Sequence, residues 1–323
     1  MGGGMTTTSL VTGGAGFIGR HLVGALVSAG ERVIILDNLS GLEPGAAGPQ
    51  ACSLVETVLG DCKDHALVNS LVRRSDRVFH MAAIVGVRRV LSDPAGVLRD
   101  NHAMTEAVLD ACRLHGRPLI MASSSEVYGK GVSQPMKETD DLRLGEPGRG
   151  RWAYAVGKLA SEHLALGMAR GEGLKVTVAR LFNTTGRGQT GRYGMVVPTF
   201  VDQALRGEPI TIIGDGSQTR CFVHVEDVVR ALLVLATIKD PRGLVVNVGS
   251  ETAVTIQKLA HRVLDICGSR SPIVYIEPET LGLDFEEIQD RRPDVSRLKA
   301  LTHWTPLHSL DDIIRDVAGQ ISS

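Results

Sequence analysis

The chain has 323 residues, of which 35 are lysine or arginine and 36 are aspartate or glutamate, so its formal net charge is −1. This length suits one large α/β domain or two domains that share a cleft. Without a basic excess, neither nucleic acid nor an anionic membrane is expected as a partner, and we expect a small-molecule ligand.

The cysteine pattern argues against a disulfide framework and against a metal site. The five cysteines contain no CxxC pair and are odd in number. No apolar run approaches the ~20 residues of a membrane span, and Met1 to Thr8 lacks the charged start and apolar core of a signal peptide. We therefore expect the reducing cytoplasm, and we leave the MGGGM lead-in out of the fold prediction.

Short β-branched runs alternate with helical stretches in the first half of the chain. In chain order they are SLVT, GRHLVGALVSAG, RVIILD, DHALVNSLVRR, RVFHMAA, NHAMTEAVLDACRLHG and PLIMASS. This alternation predicts an α/β fold with a doubly wound parallel sheet of the Rossmann type. Ligands of such sheets bind beyond the carboxyl ends of the strands.

The pattern changes after LKVTVARLFN, which ends at Asn183. A Gly-rich stretch, a helix near Pro198 to Arg206 and a turn-rich segment predict a smaller lobe, and LVVNVGS predicts a strand that returns to the main sheet. We therefore predict a dinucleotide domain of residues 5–183 and about 222–250, and a substrate lobe of about 184–221 and 251–323.

The first strand runs into the glycine motif LVTGGAGFIGRHL, in which Gly13, Gly16 and Gly19 precede a helix that starts near Phe17. Glycine permits the tight turn, the close approach of backbone N–H groups to a pyrophosphate and close packing of helix on strand. The motif therefore predicts a dinucleotide site.

Two aspartates follow the next predicted strands. Asp37 ends RVIILD, where a carboxylate can bind the adenosine ribose hydroxyls and would repel a 2′-phosphate, so we infer NAD rather than NADP. Asp61 follows the third strand and could either contact the adenine edge or cap a helix.

The stretch RWAYAVGKLASEHL places Tyr154 and Lys158 four residues apart, on one face of a predicted helix. A tyrosine that acts as a base at neutral pH requires its pKa of ~10 to be lowered by roughly 3 units. The lysine ammonium and a cationic nicotinamide can supply this. The preceding strand PLIMASSSEVYG places Ser123, Ser124 and Ser125 at the same edge of the sheet, where hydroxyls can bind a substrate oxygen.

Taken together, these motifs resemble the extended short-chain dehydrogenase/reductase family that acts on nucleotide sugars. The matching stretches are TGGAGFIG, HMAA at 80–83, Asn101, SSSEVYG, YAVGK, RLFN at 180–183 and GDGSQTRCFVHVEDV. The resemblance covers nearly the whole chain. It implies a bound NAD and a nucleotide-sugar substrate, with UDP as the expected nucleotide.

The resemblance also implies roles for single residues. Tyr154 is the expected base, Lys158 its tuning partner and Ser124 the ligand of the reacting hydroxyl, while Ser125 and Glu126 complete the predicted catalytic set. The predicted cofactor-binding residues are Gly13, Gly16, Phe17, Ile18, Gly19, Asp37, Asn38, Asp61, Cys62, Ala82, Ala83, Asn101, Tyr154 and Lys158.

A pyrophosphate requires fixed cations, and guanidinium geometry suits it. Arg220 and either Arg291 or Arg292 are therefore the candidate ligands of the substrate diphosphate, and Asn183 offers an amide to the first phosphate.

Val197 and Phe200 could sandwich a uracil ring or belong to an apolar core. Asp227 in HVEDVV is predicted to lie at a helix start.

The resemblance leaves the reaction open. Tyr154 takes the proton of the sugar O4 hydroxyl while C4 gives hydride to NAD, and a 4-epimerase then needs no further acid or base. We prefer this reading. The alternative is a glucuronate decarboxylase, in which the 4-ketone makes the C5 carboxylate a β-keto acid. Ser125, Glu126, Arg220 and Arg291-Arg292-Pro293 match that group, whereas GRYGMVVPTF and RWAYAVGK depart from its commonest pattern.

A 4,6-dehydratase ranks third, because its Asp-Glu pair is replaced here by Ser125-Glu126. A regulatory Rossmann protein that binds NAD without catalysis is a further alternative, but such proteins lose the catalytic tyrosine. The family also implies a homodimer formed through a pair of helices.

Overall fold

The computed structural model describes residues 6–42, 52–189, 191, 194–277 and 288–321. The MGGGM lead-in and the Arg192-Tyr193 part of the GRYG stretch lie outside the described residues.

A parallel seven-stranded sheet forms the centre of the molecule. Its strands are β1 (Thr8–Thr12), β2 (Arg32–Asp37), β3 (Val55–Leu59), β4 (Arg77–His80), β5 (Leu119–Ser124), β6 (Val176–Leu181) and β11 (Arg242–Val248). They are arranged in the order β11-β6-β5-β4-β1-β2-β3, and every pairing is parallel. Because β1 lies beside both β2 and β4, the chain winds outward in both directions from β1. The predicted doubly wound sheet is confirmed.

The helices that follow these strands cover both faces of the sheet. They are α1 (Phe17–Ser28), α2 (His65–Arg73), α3 (Val87–Ser92), α4 (Pro94–His115), α5 (Trp152–Glu172), α7 (Val225–Leu235) and α9 (Ser296–Thr302). One apolar cluster joins one sheet face to α2, α4 and α5, and a second joins the other face to α1, α7 and α9. This two-sided burial explains why the strands read as continuous apolar runs.

The helix α4 is longer than the sequence analysis predicts. It begins at Pro94 rather than near Asn101, because the Asp93 carboxylate accepts a 2.9 Å hydrogen bond from the Gly96 N–H and proline occupies the first turn. Asp227 lies in the first turn of α7, as predicted, and its buried carboxylate accepts hydrogen bonds from the N–H groups of Leu307 and His308.

A smaller lobe has its own apolar cluster, formed mainly by α6 (Val196–Arg206), α8 (Ile256–Cys267) and α10 (Leu310–Ile321). Its short strands are β7 (Thr184–Thr185), β8 (Ile210–Ile213), β9 (Thr219–Cys221), β10 (Val223–His224), β12 (Ala253–Thr255) and β13 (Ile273–Ile276), which pair as β10-β7, β12-β9 and β13-β8.

Two residues of the predicted substrate lobe pack against the main sheet. Leu298 and Trp304 are buried in the cluster of the main sheet, although they belong to the segment assigned to the substrate lobe. The domain division itself stays a prediction. None of the described helices combines the length and the apolar character needed to cross a bilayer.

Candidate active site

The glycine loop between β1 and α1 has no room for a side chain at Gly13 or Gly19. Gly13 has a φ of +69°, and a Cβ added there would lie 2.6 Å from the backbone nitrogen of Ala82. A Cβ at Gly19 would overlap the Gly13 carbonyl oxygen. The loop is therefore pressed between α1 and the residues after β4, and it leaves the N-terminus of α1 open to an anion. This is the cradle that a dinucleotide pyrophosphate requires.

Asp37 lies at the carboxyl end of β2, beside this loop. One carboxylate oxygen accepts a 3.0 Å hydrogen bond from the Ala15 N–H, and the other accepts a 2.7 Å bond from the Leu39 N–H. The carboxylate thus orders the loop at the predicted ribose position. Asn38 is exposed next to it, and its side chain accepts a 3.1 Å bond from the Ser40 N–H.

Asp61 and Cys62 follow β3 at the same edge. Asp61 accepts a 2.8 Å hydrogen bond from the Lys63 N–H, whereas Asp64 is the residue that caps α2. The cap alternative for Asp61 is therefore wrong. Cys62 is buried, and burial together with the charge of Asp61 raises the pKa of its thiol to about 12.

The loop after β4 closes the other side of the cradle. The Ala82 N–H donates to the Thr12 hydroxyl over 3.4 Å, and Ala83 is half-buried. Asn101 is buried on α4, where its side chain accepts from the Ile84 N–H at 2.7 Å and donates to the Ile84 carbonyl at 3.0 Å. Both polar atoms of Asn101 are thus bonded to backbone, so this side chain shapes the loop.

The predicted catalytic hydroxyl set lies where β5 meets α5. Lys158 is buried and its Nζ donates a 2.9 Å hydrogen bond to the Ala122 carbonyl of β5. Tyr154 lies one helical turn earlier, and its hydroxyl is hydrogen-bonded to Ser124. Ser123 points elsewhere, to Glu162. Of the three serines, the structure brings Ser124 to Tyr154.

Burial and the charge of Glu126 keep Tyr154 neutral in the protein alone. Burial raises its pKa, and the nearby carboxylate of Glu126 raises it further, against the hydrogen bond with Ser124. Burial lowers the pKa of Lys158 to about 8, although the charge of Glu162 acts in the other direction. The lowering that a tyrosine base requires is therefore not supplied by these protein groups without further positive charge.

A buried ion pair below this site was missed by the sequence analysis. Glu162 accepts hydrogen bonds from Arg180 at 2.7 Å and from Ser123 at 2.5 Å. Glu162 lies four residues after Lys158 on the same helix, and this spacing was the available signal. Lys158 also affects His80, whose pKa is lowered to about 3 by burial and by the lysine charge.

Glu126, Arg291 and Arg151 form a cluster of charges beside Tyr154, which we call the charged corner. Arg291 donates a 2.5 Å hydrogen bond to Glu126, and Arg151 lies 3.7 Å from its other oxygen. Burial alone would raise the pKa of Glu126, but the charges of Arg291, Arg151 and Arg220 and the bond from Arg291 hold it below its usual value. Glu126 is therefore a carboxylate at neutral pH. Arg151 was missed, although it lies three residues before Tyr154.

The other predicted substrate residues are spread around this corner. Arg291 is 5% exposed, and its Nε has no hydrogen-bond partner among the described residues. Arg220 donates to the carbonyls of Thr219 and Ile288, both at 2.7 Å. Asn183 donates a 3.0 Å bond to the Cys221 carbonyl.

Arg292 is held through its backbone, with its N–H bonded to Gln134. Ser125 is buried in a 3₁₀ turn (Ser125–Tyr128).

Val197 and Phe200 lie inside the small lobe. They are 1% and 2% exposed and belong to its apolar cluster. The structure thus favours the core role over contact with a uracil ring, because side chains buried among α6, α8 and α10 offer no open face.

One group of possible metal ligands occurs in the described part of the chain, formed by His224, Glu226 and His308. The two imidazoles stack with their centroids 4.2 Å apart and their planes at 23°. Nearly parallel rings cannot direct their in-plane lone pairs at one ion, and the Glu226 N–H already donates to His224 Nδ1. This arrangement does not suit a metal.

The parallel sheet and the glycine loop define a class of protein, a Rossmann enzyme that binds a dinucleotide. Residues 9–249 match the family described as the NAD dependent epimerase/dehydratase family. The chain therefore belongs to this family, it is an enzyme, and NAD is its cofactor.

The chain is also similar to individual proteins that act on UDP-linked sugars. The chain is 38% identical to UDP-N-acetyl-alpha-D-glucosaminuronate decarboxylase of Bacillus cytotoxicus, over 94% of each chain. It is 33% identical to UDP-glucuronic acid decarboxylase 1 of Danio rerio, over 94% of this chain and 70% of that one. Among solved structures, UDP-glucose 4-epimerase of Thermotoga maritima with UDP-glucose superposes with a TM-score of 0.87 at 29% identity, covering 98% of this chain and 99% of that one.

Proposed function

We propose that the chain is an NAD-dependent decarboxylase of a UDP-linked uronic acid. The observation that carries this proposal is the contact of Arg291 with Glu126 beside Tyr154. An epimerase that turns over a 4-ketose needs no such charged pair. A decarboxylase must hold and release a carboxylate at C5, next to the carbon that is oxidised.

The first step removes a proton and a hydride from the substrate. Ser124 and Tyr154 bind the O4 hydroxyl, and Tyr154 takes its proton. Lys158, held by the Ala122 carbonyl, stabilises the Tyr154 phenolate that acts as this base and that becomes a neutral phenol when it takes the proton. The hydride of C4 would pass to the bound NAD, which would also supply positive charge near Tyr154. Gly13, Gly16, Gly19 and Asp37 are the residues that we assign to its pyrophosphate and ribose.

The second step breaks the bond between C5 and the carboxylate carbon. The bonding pair moves toward the 4-ketone oxygen, which Ser124 and Tyr154 stabilise, and CO2 leaves. Arg291 binds the carboxylate before it leaves, since Glu126 holds the Arg291 guanidinium at the Tyr154 end of the site. C5 then takes a proton from a solvent water that the Glu126–Arg291 pair orients, since Glu126 is a carboxylate and has no proton of its own to give. Return of hydride to C4 and of the Tyr154 proton to O4 completes the turnover.

The relatives support this choice over the 4-epimerase that the sequence analysis prefers. The two curated relatives named above are decarboxylases of UDP-linked uronates, whereas the epimerase is the less identical structural neighbour. A 4,6-dehydratase is less well supported, because Ser125 is buried where that reaction needs a second carboxylate.

Two further expectations also belong here as proposals. The described cysteines are free thiols, which supports the cytoplasm as the compartment. A homodimer formed through a pair of helices is what the resemblance to the family supports.

The test of the function is the mass of the product. The protein is incubated with NAD and, separately, UDP-glucuronate, UDP-N-acetylglucosaminuronate or UDP-glucose, and the nucleotide sugars are measured by mass spectrometry. We expect one uronate to yield a product lighter by CO2 and UDP-glucose to stay unchanged. An isomer of unchanged mass from UDP-glucose, with both uronates intact, would overturn the proposal in favour of the epimerase.

A further inference from the structure

We propose that Gln134 is the positioning residue of Arg291, a role that rests on the proposed decarboxylase function. The Gln134 side chain bonds the peptide groups on both sides of Arg291. Its Nε2 donates a 3.0 Å hydrogen bond to the Asp290 carbonyl, and its Oε1 accepts a 3.1 Å bond from the Arg292 N–H.

These two bonds close a ring across one residue of the backbone. The carbonyl before Arg291 and the N–H after it are fixed to the same planar amide, so the backbone dihedrals of Arg291 have little freedom. The direction of its Cα–Cβ bond follows from those dihedrals. Gln134 therefore sets the direction in which the guanidinium leaves the chain toward Glu126.

Arg291 requires this support because its segment has no helix or extended strand. Residues 288–295 form only an isolated bridge, Met136 with Pro293. The backbone of Met136 adds two 2.8 Å bonds, one to the Arg292 carbonyl and one from the Asp294 N–H. The 134–136 segment thus holds the stretch that carries Arg291, with Gln134 at the arginine itself.

The oxidation half of the site is built independently of this contact. Ser124 comes from β5, and Tyr154 and Lys158 come from α5, where Lys158 is fixed by Ala122. Loss of the Gln134 bonds should misplace Arg291 while leaving hydride transfer from C4 intact. Small displacements of a positioned group lower rates steeply.

The test replaces Gln134 by methionine, which keeps the length of the side chain and removes both hydrogen bonds. The control is Gln203→Met, because Gln203 makes the same kind of double contact with Thr211, at 2.9 and 3.1 Å, in the small lobe. NADH formation and CO2 release are measured on the NAD-loaded protein with UDP-glucuronate and with UDP-N-acetylglucosaminuronate.

We expect Gln134→Met to slow CO2 release by about tenfold to a hundredfold, with NADH formation close to wild type, so that the 4-keto sugar accumulates. Gln203→Met should leave both rates unchanged. In an Arg291→Ala background, Gln134→Met should have no additional effect, because it acts through that arginine. Thermal melting of each variant establishes that it is folded.

Several results would overturn the inference. One is wild-type CO2 release by Gln134→Met, and another is an equal loss of both steps, which indicates a general structural role. A further effect in the Arg291→Ala background would do the same. If Gln134→Met does not fold, Gln134→Ala and Gln134→Asn replace it. Failure of the wild-type protein to release CO2 from either uronate would instead refute the proposed function, so the two failures are distinguishable.

Discussion

The cofactor side of the site and the charged corner beside Tyr154 are built in different ways. The cofactor side consists of strand ends and the helices that follow them: the glycine loop after β1, Asp37 at the end of β2 and Lys158 on α5. The charged corner consists of Glu126, Arg151 and Arg291. These residues come from a 3₁₀ turn, the residue before α5 and an irregular C-terminal segment.

The two parts of the site therefore differ in whether their side chains are positioned by residues that are near or distant in the chain. On the cofactor side each side chain takes its position from an element formed by neighbouring residues. In the corner, Glu126 and Arg291 are 165 residues apart in the chain. Substitutions on the cofactor side should therefore affect binding and oxidation, and those in the corner should affect the fate of the oxidised sugar.

The largest effect is expected at Tyr154. Tyr154→Phe removes the base, so turnover should fall by about a thousandfold, while NAD affinity stays within a few-fold of wild type. Steady-state kinetics and calorimetric titration with NAD measure the two quantities. Tyr128→Phe is the matched control, because the buried Tyr128 hydroxyl bonds Asn247 away from the reacting group. An active Tyr154→Phe would place the base elsewhere.

The glycine loop gives the next largest effect. Gly13→Ala combines a positive φ with overlap of the Ala82 backbone, so we expect NAD to bind about a hundredfold more weakly. Gly30 also has a positive φ, +79°, but a Cβ there meets nothing within 4 Å. Gly30→Ala should lower stability by about 1 kcal/mol and leave NAD affinity unchanged. Equal affinity losses in the two variants would refute the packing argument.

The pH dependence of oxidation tests the role of Lys158. Burial lowers its pKa to about 8, so its ammonium is lost as the pH rises through that value. In the NAD-bound protein, where the added positive charge has already ionised Tyr154, the support for its phenolate is then lost, and NADH formation should fall by about tenfold per pH unit well above pH 8. Stopped-flow measurements across neutral and alkaline pH test this. A rate that stays level far into the alkaline range would contradict the assignment.

Arg151 should produce the smallest of these effects. Arg151→Gln removes one of the cations beside Glu126, which should raise the KM for the uronate by about fivefold, equivalent to about 1 kcal/mol. Arg149→Gln is the control, since Arg149 pairs with Glu146 on the exposed surface. An unchanged KM in Arg151→Gln would show that Arg151 does not contribute to uronate binding at the charged corner.

The same difference explains how far the sequence could predict the structure. The alternation of strands and helices, the start of α1 after the glycine motif and the shared face of Tyr154 and Lys158 follow from local sequence patterns. The contact of Glu126 with Arg291 does not, because the path of residues 288–295 is set by hydrogen bonds to distant segments. For Val197 and Phe200 the local pattern was visible but did not decide the role. An apolar helix face has the same residue pattern whether it packs in a core or contacts a uracil ring.

In the proposed mechanism, the Glu126–Arg291 pair turns oxidation at C4 into decarboxylation. A single-turnover experiment with a labelled substrate tests this role. The substrate is UDP-glucuronate, or UDP-N-acetylglucosaminuronate if that is the uronate turned over, with an isotopic label in its carboxyl group. NADH absorbance and labelled CO2 are followed in wild type and in Arg291→Ala. We predict that wild type forms NADH and then releases CO2, whereas Arg291→Ala forms NADH and retains the carboxylate. Release of CO2 by Arg291→Ala at the wild-type rate would contradict the claim.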